Sequence, residues 1–405
     1  MAARGRLGDM LRAVDPLTHT LFGAVLADTG LRRQSALATA TLVIGANLPD
    51  IDVVAHFVDM DASLAWRRGW SHGVLALVVL PLALTAVMVG FDRWRRRRGH
   101  RGPPVDAARL LPLAALGVVS HPLLDWLNTY GVRLLMPFDG RWFYGDALFI
   151  VDPWLWLLLG GALFLGRSSG RRALAAWSAL GLLMTAAVLV GAEGHPWAPW
   201  VWFAGVATLV VVRFGRATSP MRRDPIARGA LAVALVYMGL MVLGSEWAET
   251  AAADDLAAAG VATTAPPRVG PERLDPSLRL VVAPVDGGYR VGTIRPLRTP
   301  RLQLEPYLVP AVATSWTTNP SGSPDASSPD ASSPDPLAIV DAAQAGRCVA
   351  GFVGWMRLPF AVVDEAPDGY RVHLLDARYR RAPGDGFGGA TVWVGEDLAA
   401  VCADE

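Results

Sequence analysis

The sequence predicts an all-α polytopic membrane helical bundle, followed by a small β-rich (α+β) domain outside the membrane. Three observations lead to this fold class. Hydrophobic residues make up 52% of the 405 residues and charged residues only 18%, the mean hydropathy is +0.33, and several charge-free runs approach the roughly 20 residues that cross a bilayer. A water-soluble globule of this size does not need so much apolar sequence. We therefore expect a membrane domain over residues 1–245 and a β-rich domain over residues 246–405.

The apolar segments come in two lengths. Segments 17–27 and 35–48 are short for straightforward spans and predict re-entrant or tilted helices. Six longer runs predict about six full spans, because buried helices of a soluble protein do not explain so many long runs at once. These runs are 73–91, 110–130, 147–166, 173–192, 194–212 and 229–245.

Arginine-rich loops predict the orientation of the bundle. Loops 92–101, 167–172 and 213–228 are basic and alternate with arginine-poor loops, as the positive-inside rule requires. This alternation places loop 50–72 and everything after residue 245 on the extracytoplasmic side. The basic loops could instead bind anionic lipid or nucleic acid, but a formal net charge of +1 gives no general case for a nucleic-acid partner.

Beyond residue 245 the long charge-free runs stop. Short alternating stretches such as 278–282 and 370–375 appear there, with Gly and Pro between them, and this pattern is typical of β-strands. Residues 251–267, rich in Ala, Gly and Pro, are interpreted as a linker from the last span.

Two further features mark the C-terminal part. Residues 321–336 contain only Ser, Gly, Pro, Asp and Ala, so they offer too little apolar surface to fold and predict a disordered insertion. Cys348 and Cys402 cannot form a tetrathiolate metal site, although they could form one disulfide.

Ionisable groups in membrane segments are costly and therefore indicate function. Here they are all histidine or aspartate, and His121 and Asp125 lie one turn apart on the same helix face. Six such residues come to the extracytoplasmic end of their segments in the predicted topology. We predict that these six bind metal: His19, Asp50, Asp52, His72, His121 and Asp125.

A mixed nitrogen and oxygen site suits a divalent ion, with zinc first and manganese or iron as alternatives, and one or two ions could bind. Such an ion lowers the pKa of a bound water and polarises a carbonyl or phosphoryl oxygen, which favours hydrolysis. Each element also has a simpler explanation. His19 or His72 alone could cap a helix, Asp50 and Asp52 could form a turn, and the pair on one helix face could be an interhelical hydrogen bond.

Five ordered sequence blocks within the first 140 residues resemble a known family. They are THTLFG (18–23), NLPDID (47–52), RGWSH (68–72), SHPLLDWLNTYG (120–131) and LMPF (135–138). They resemble the YdjM-type membrane-bound metal-dependent hydrolases of bacteria and archaea, which are distantly similar to the zinc phospholipase C and single-strand nuclease superfamily. The resemblance implies a multi-pass protein of the bacterial inner membrane with a metal-dependent hydrolase site.

One block departs from the family pattern. Where the family often has His-Arg-Gly, this chain has Arg67-Arg68-Gly69, and a guanidinium cannot bind a cation. His56 could replace the missing imidazole or be a simple loop residue. Arg68 could hold an anionic substrate group or be structural. Asp146 and Asp152 complete this second tier of candidates, and the sequence does not assign the catalytic base.

The leading hypothesis is a membrane-bound hydrolase in which metal-activated water attacks a phosphoester or lipid-linked substrate at the extracytoplasmic face. Its expected partners are membrane lipid and a small-molecule or lipid-linked substrate. Two alternatives remain open: a metal or proton transporter that uses the same His/Asp cluster, and a non-catalytic membrane scaffold with a structural metal site.

Overall fold

The computed structural model describes residues 15–58, 60–215, 222–314, 334–384 and 387–402, without the side chains of His56 and Met60. Most of the predicted insertion 321–336 lies outside these residues.

Short helices come first among the described residues, as the two short apolar segments predict. Helix α1 spans Pro16–Asp28 and helix α2 spans Ala38–Gly45. A 3-10 helix, Leu48–Phe57, follows α2 at an angle of about 40°, and helix α3 covers Met60–Trp66.

Five helices of the described residues are long and apolar enough to cross a membrane. They are α4 (Ala76–Arg97), α5 (Ala107–Trp126), α7 (Arg171–Gly191), α8 (Ala198–Gly215) and α9 (Arg223–Ala258). The bent pair of α2 and the 3-10 helix would add one span if it crosses as a unit. The prediction of a helical membrane bundle is therefore confirmed.

Two segments differ from their predicted bounds. The run 147–166 was predicted as a full span, but its helix α6 covers only Pro153–Arg167, because the Asp152 carboxylate caps it by accepting the N–H groups of Trp154 and Leu155. Helix α9 continues past Ser245 to Ala258, so the first half of the predicted linker 251–267 is helical. Alanine dominates that half and is the best helix former.

Three glycines let α1, α2 and α5 pack backbone against backbone. A Cβ on Gly23 would lie 2.8 Å from the carbonyl oxygen of Leu42, and one on Gly117 would lie 2.9 Å from the same atom. A Cβ on Gly45 would come within 3.3 Å of the Ala114 carbonyl oxygen. Small residues at such crossings are typical of membrane helix packing. The close approach brings His19 of α1 and the predicted ligands of α5 near the 3-10 helix that follows α2 and carries Asp50 and Asp52.

The described residues of the C-terminal part form two sheets, which confirms the predicted β-rich domain. In the first sheet β1 (Arg268–Pro271), β2 (Arg279–Val285), β3 (Gly288–Ile294) and β4 (Leu302–Pro310) pair in order and antiparallel.

In the second sheet β5 (Val312–Thr314) runs parallel to β6 (Pro359–Ala366), and β7 (Gly369–Asp376), β8 (Gly389–Gly395) and β9 (Ala400–Val401) continue antiparallel.

Two short helices and a disulfide accompany the second sheet. Helix α10 (Pro336–Gln344) packs on it, whereas helix α11 (Ala350–Trp355) packs mainly against α3 and contributes to the same apolar core. The disulfide considered from the sequence joins Cys348 and Cys402. The same buried core includes Tyr130 from the N-terminal half, so the two parts share apolar packing.

Candidate metal centre

Four of the six predicted ligands meet in one cluster. Asp50, His72, His121 and Asp125 each present one ligand atom within 4.8 Å of the others. Asp50 comes from the 3-10 helix, His72 from the turns that precede α4, and the other two from α5. We call these four residues the metal cluster.

A backbone carbonyl fixes the protonation of His121. Its Nδ1 lies 2.7 Å from the carbonyl oxygen of Ala46, which follows α2 directly. A carbonyl can only accept a hydrogen bond, so Nδ1 carries the proton and the neutral ring has a lone pair on Nε2. This Nε2 points into the metal cluster.

Asp52 performs the same task for His72. Its Oδ2 lies 3.2 Å from His72 Nδ1 and also accepts the Ser71 hydroxyl at 2.8 Å. A carboxylate behind a ligating imidazole orients the ring and leaves Nε2 free to bind metal. The structure therefore places Asp52 behind His72 and outside the four-residue cluster.

The cluster fits a cation. The two Nε2 atoms of His72 and His121 lie 3.1 Å apart, and with both Nδ1 atoms protonated this brings two lone pairs face to face. Asp50 Oδ1 and Asp125 Oδ2 are buried nearby, and neither has a hydrogen-bond donor among the described residues. Two nitrogen and two carboxylate donors converging in this way match a divalent transition ion.

The comparisons with known proteins agree with the membrane character of this part. Residues 14–195 match the YdjM inner membrane protein family. This confirms the resemblance seen in the five blocks, and all four cluster residues lie inside the matched YdjM region.

A relative found by comparison with individual proteins is the uncharacterized protein YfhP of Bacillus subtilis strain 168. It is 24% identical over 152 residues, which cover 36% of this chain and 43% of YfhP. The chain thus spans less than half of that relative's length. No solved structure matches the chain.

Within the YdjM region, Arg68 is bound to the metal cluster and is 2% exposed. Its Nη2 lies 2.9 Å from Asp125 Oδ1, and its Nη1 donates to Asn128 Oδ1 at 2.8 Å. Its backbone has φ of 50°, a left-handed conformation that is costly for arginine, and its N–H donates to Asp52 Oδ2 at 2.8 Å. The contacts favour the structural interpretation of Arg68 over substrate binding.

Arg67 balances the remaining charge. It is fully buried, with Nη2 3.7 Å from Asp50 Oδ1 and Nε 3.9 Å from Asp52 Oδ1. Two guanidinium groups thus face three carboxylates, which lowers the cost of burying those carboxylates together.

His19 lies beside the metal cluster. Its ring stacks on the His121 ring with centroids 3.8 Å apart, and its Nε2 is 3.5 Å from Asp125 Oδ1. Its Nδ1 is buried and has no hydrogen-bond partner among the residues described. The structure brings His19 next to the four cluster residues without making it one of them.

Two other second-tier candidates, Asp146 and Asp152, pair with residues outside the cluster. Asp146 Oδ2 pairs with Arg357 Nη1 of the C-terminal part at 2.5 Å, and burial raises the Asp146 pKa although Arg357 opposes the shift. Asp152 Oδ2 accepts the Tyr237 hydroxyl at 2.8 Å, so its side-chain partner is a tyrosine. The His56 side chain lies outside the described part of the chain.

Sequence reasoning missed the residues that hold the cluster in place. Asn128 and Tyr130 contact Arg68, the latter with its ring centroid 4.5 Å from the guanidinium carbon. Their position in the same block as His121 and Asp125 was the available signal. The Ala46 carbonyl gave no such signal, because every residue has a main-chain carbonyl group.

Proposed function

We propose that this chain is a membrane-bound metal-dependent hydrolase that cleaves a phosphoester or lipid-linked substrate at the extracytoplasmic face. One observation carries the proposal. The Nε2 atoms of His72 and His121 converge with a buried oxygen each of Asp50 and Asp125, and these two oxygens accept no hydrogen bond from the described residues. A divalent ion held there, zinc before manganese or iron, supplies a Lewis acid and an activated water for hydrolysis.

The four cluster side chains differ in how far they are exposed. The side chains of His72, His121 and Asp125 are at most 4% exposed, whereas Asp50 is 12% exposed. A substrate therefore reaches the centre past Asp50. Arg67 and Arg68 contact ligand carboxylates there and keep the site from becoming strongly negative, which favours an anionic substrate.

An apolar ridge beside Asp50 supports a lipid-linked substrate. Side chains three apart in a 3-10 helix lie above one another, and Ile51, Val54 and Phe57 are 58%, 59% and 79% exposed. We call these three residues the 3-10 ridge. Acyl chains that contact this ridge would hold a polar head group next to Asp50.

Two observations support the extracytoplasmic side. The disulfide between Cys348 and Cys402 persists in oxidising compartments and is rare in the cytoplasm. The distribution of loop arginines independently supports an extracytoplasmic position for the part of the chain that follows the last span.

Metal content tests the proposal. We expect detergent-purified protein, grown with zinc, manganese and iron, to hold at least one ion per chain by elemental mass spectrometry. His121→Ala should lose this ion, because it removes a ligand nitrogen. Asp52→Asn should weaken binding by about 10- to 100-fold, because it removes the acceptor behind His72. His100→Ala, an exposed histidine, is the matched control and should bind as wild type.

Activity assays separate the hydrolase from its alternatives. Phosphodiester, phosphomonoester and phospholipid substrates should be cleaved by wild type and not by His121→Ala. Wild type that holds no metal under replete conditions would refute the proposal. Bound metal without hydrolysis of any of these substrates would favour transport or a scaffold.

A further inference from the structure

The loop that follows α5 contacts the metal cluster through Arg68. Arg68 Nη1 donates to Asn128 Oδ1 at 2.8 Å and to the carbonyl oxygen of Gly131 at 3.3 Å, while its guanidinium lies over the Tyr130 ring. The other end of the same guanidinium holds Asp125. A shift of this loop would therefore move a guanidinium that positions a cluster carboxylate.

The C-terminal domain holds this loop from the opposite side. Arg378 Nη1 donates to the Thr129 carbonyl oxygen at 2.8 Å, and the Tyr379 hydroxyl donates to Thr129 Oγ1 at 3.0 Å. Trp355 Nε1 donates to the Tyr130 carbonyl oxygen at 3.1 Å. Three directed hydrogen bonds thus reach two consecutive residues that belong to the YdjM region. We call Trp355, Arg378 and Tyr379 the clamp.

The clamp is itself rigid. Arg378 Nε and Nη2 donate to both oxygens of Asp376, and Nη2 also donates to the Trp355 carbonyl oxygen. The Trp355 and Tyr379 rings stack with centroids 5.4 Å apart. The Arg378 guanidinium holds the Asp376 pKa below its usual range, although burial opposes this. Arg378 is only 6% exposed, so these bonds are formed largely out of water.

Packing alone would not need this arrangement. An apolar interface can slide, whereas hydrogen bonds to fixed main-chain oxygens define one position of the loop to within a fraction of an ångström. Trp355 and Tyr130 are both 1% exposed, so water cannot replace the bonds that the clamp makes at this point.

We propose that the C-terminal domain is a positioning part of the metal centre: its clamp holds residues 129–130, and through them Arg68 and Asp125, in the geometry that binds metal. This inference rests on the proposed function, because it assigns the clamp to the same site. It predicts that metal affinity depends on residues whose sequence lies more than two hundred positions beyond the ligands.

Cobalt(II) binding to the full-length chain in detergent tests the proposal, because its visible absorption reports ligand geometry directly. Tyr379→Phe keeps the ring and removes only the hydroxyl, and Thr129→Val removes its acceptor from the other side. Each variant should raise the cobalt Kd by about 2- to 30-fold, which is the usual effect of a substitution that reaches a binding site through intervening residues. Each should also shift the absorption bands. Both substitutions remove the same hydrogen bond, so the double variant should change the binding free energy by less than the sum of the two single changes.

Arg371→Gln, an exposed arginine of the same domain that lies over the Trp393 ring, is the matched control and should bind cobalt as wild type. Retention of the wild-type melting temperature and of the disulfide shows that each variant folds. Folded Tyr379→Phe and Thr129→Val with wild-type Kd and spectrum would overturn the proposal, while the proposed function would stand if His121→Ala still abolished binding. Wild type that binds no cobalt would overturn both.

Discussion

Asp15 is a buried carboxyl at the start of α1. It caps the helix by accepting the Thr18 N–H at 3.0 Å, and its Oδ2 also accepts Trp156 Nε1 at 3.2 Å. Burial raises its pKa from the usual 3.8 to about 6, although these donors oppose the shift. The folded state therefore favours the protonated acid.

The sign of the pH effect follows from this shift. The protonated carboxyl contributes stability that is full below pH 3.8 and is lost as the pH rises through about 6, an effect of about 3 kcal/mol. Asp15→Asn keeps an N-cap without this titration. We expect the melting temperature of the variant to exceed that of wild type at pH 8 and to equal it at pH 4. Equal melting curves at pH 8 would contradict the prediction.

The four residues that meet in the cluster could be proposed from the sequence because histidine and aspartate stand out in apolar segments. The sequence could not distinguish Asp50, which faces the cluster, from Asp52, which lies behind His72. That distinction depends on which ring nitrogen faces which neighbour, and His121 is oriented by the main chain of Ala46. A hydrogen bond to a main-chain atom cannot be predicted from residue types, because every residue has the same main-chain groups.

At the scale of single elements, the 3-10 helix Leu48–Phe57 combines two faces. Asp52 and Ala55 are buried toward the protein, whereas the 3-10 ridge is exposed. Transferring each ridge side chain from water to lipid contributes about 1 to 2 kcal/mol. The helix should therefore lie at the membrane interface.

Spin labelling tests this placement. Labels at Val54→Cys and Phe57→Cys should collide more often with oxygen, which partitions into lipid, than with a water-soluble nickel complex. A label at Arg298→Cys, in an exposed turn of the C-terminal part, should show the opposite preference. The native cysteines are paired and take up no label. Ridge labels that prefer the nickel complex would show that the helix lies in water.

The elements were predictable to the extent that hydropathy determines them. Long apolar runs predicted the five helices that could cross a membrane, since a bilayer imposes a minimum length, although α9 extends well beyond its run 229–245. The run 147–166 gave a helix that was too long, because an aspartate followed by proline starts α6 at Pro153. Hydropathy values alone do not reveal an N-cap of this kind.

At the scale of the whole molecule, the disulfide secures the second sheet. It joins the segment before α11 to the residue after β9 across 54 positions. Cross-linking a loop of this length restricts the unfolded chain and contributes about 4 kcal/mol.

The double variant Cys348→Ala/Cys402→Ala should therefore lower the free energy of unfolding of the C-terminal part by about this amount, as measured by denaturant titration. Wild type treated with a thiol-blocking reagent without reductant is the control and should be unchanged. Free thiols in the untreated protein would contradict the bond.

The bond between Trp355 and the carbonyl of Tyr130 spans 225 positions of the chain. A ribosome makes the loop after α5 long before it makes the residue that holds this loop. If the clamp positions the metal centre and the C-terminal domain is extracytoplasmic as we propose, insertion of the helices alone yields a nascent chain whose centre is not yet held in place. The centre would then form fully only after the C-terminal domain has been exported and has folded. The order of biosynthesis would thereby delay activity until the whole chain has reached its final topology.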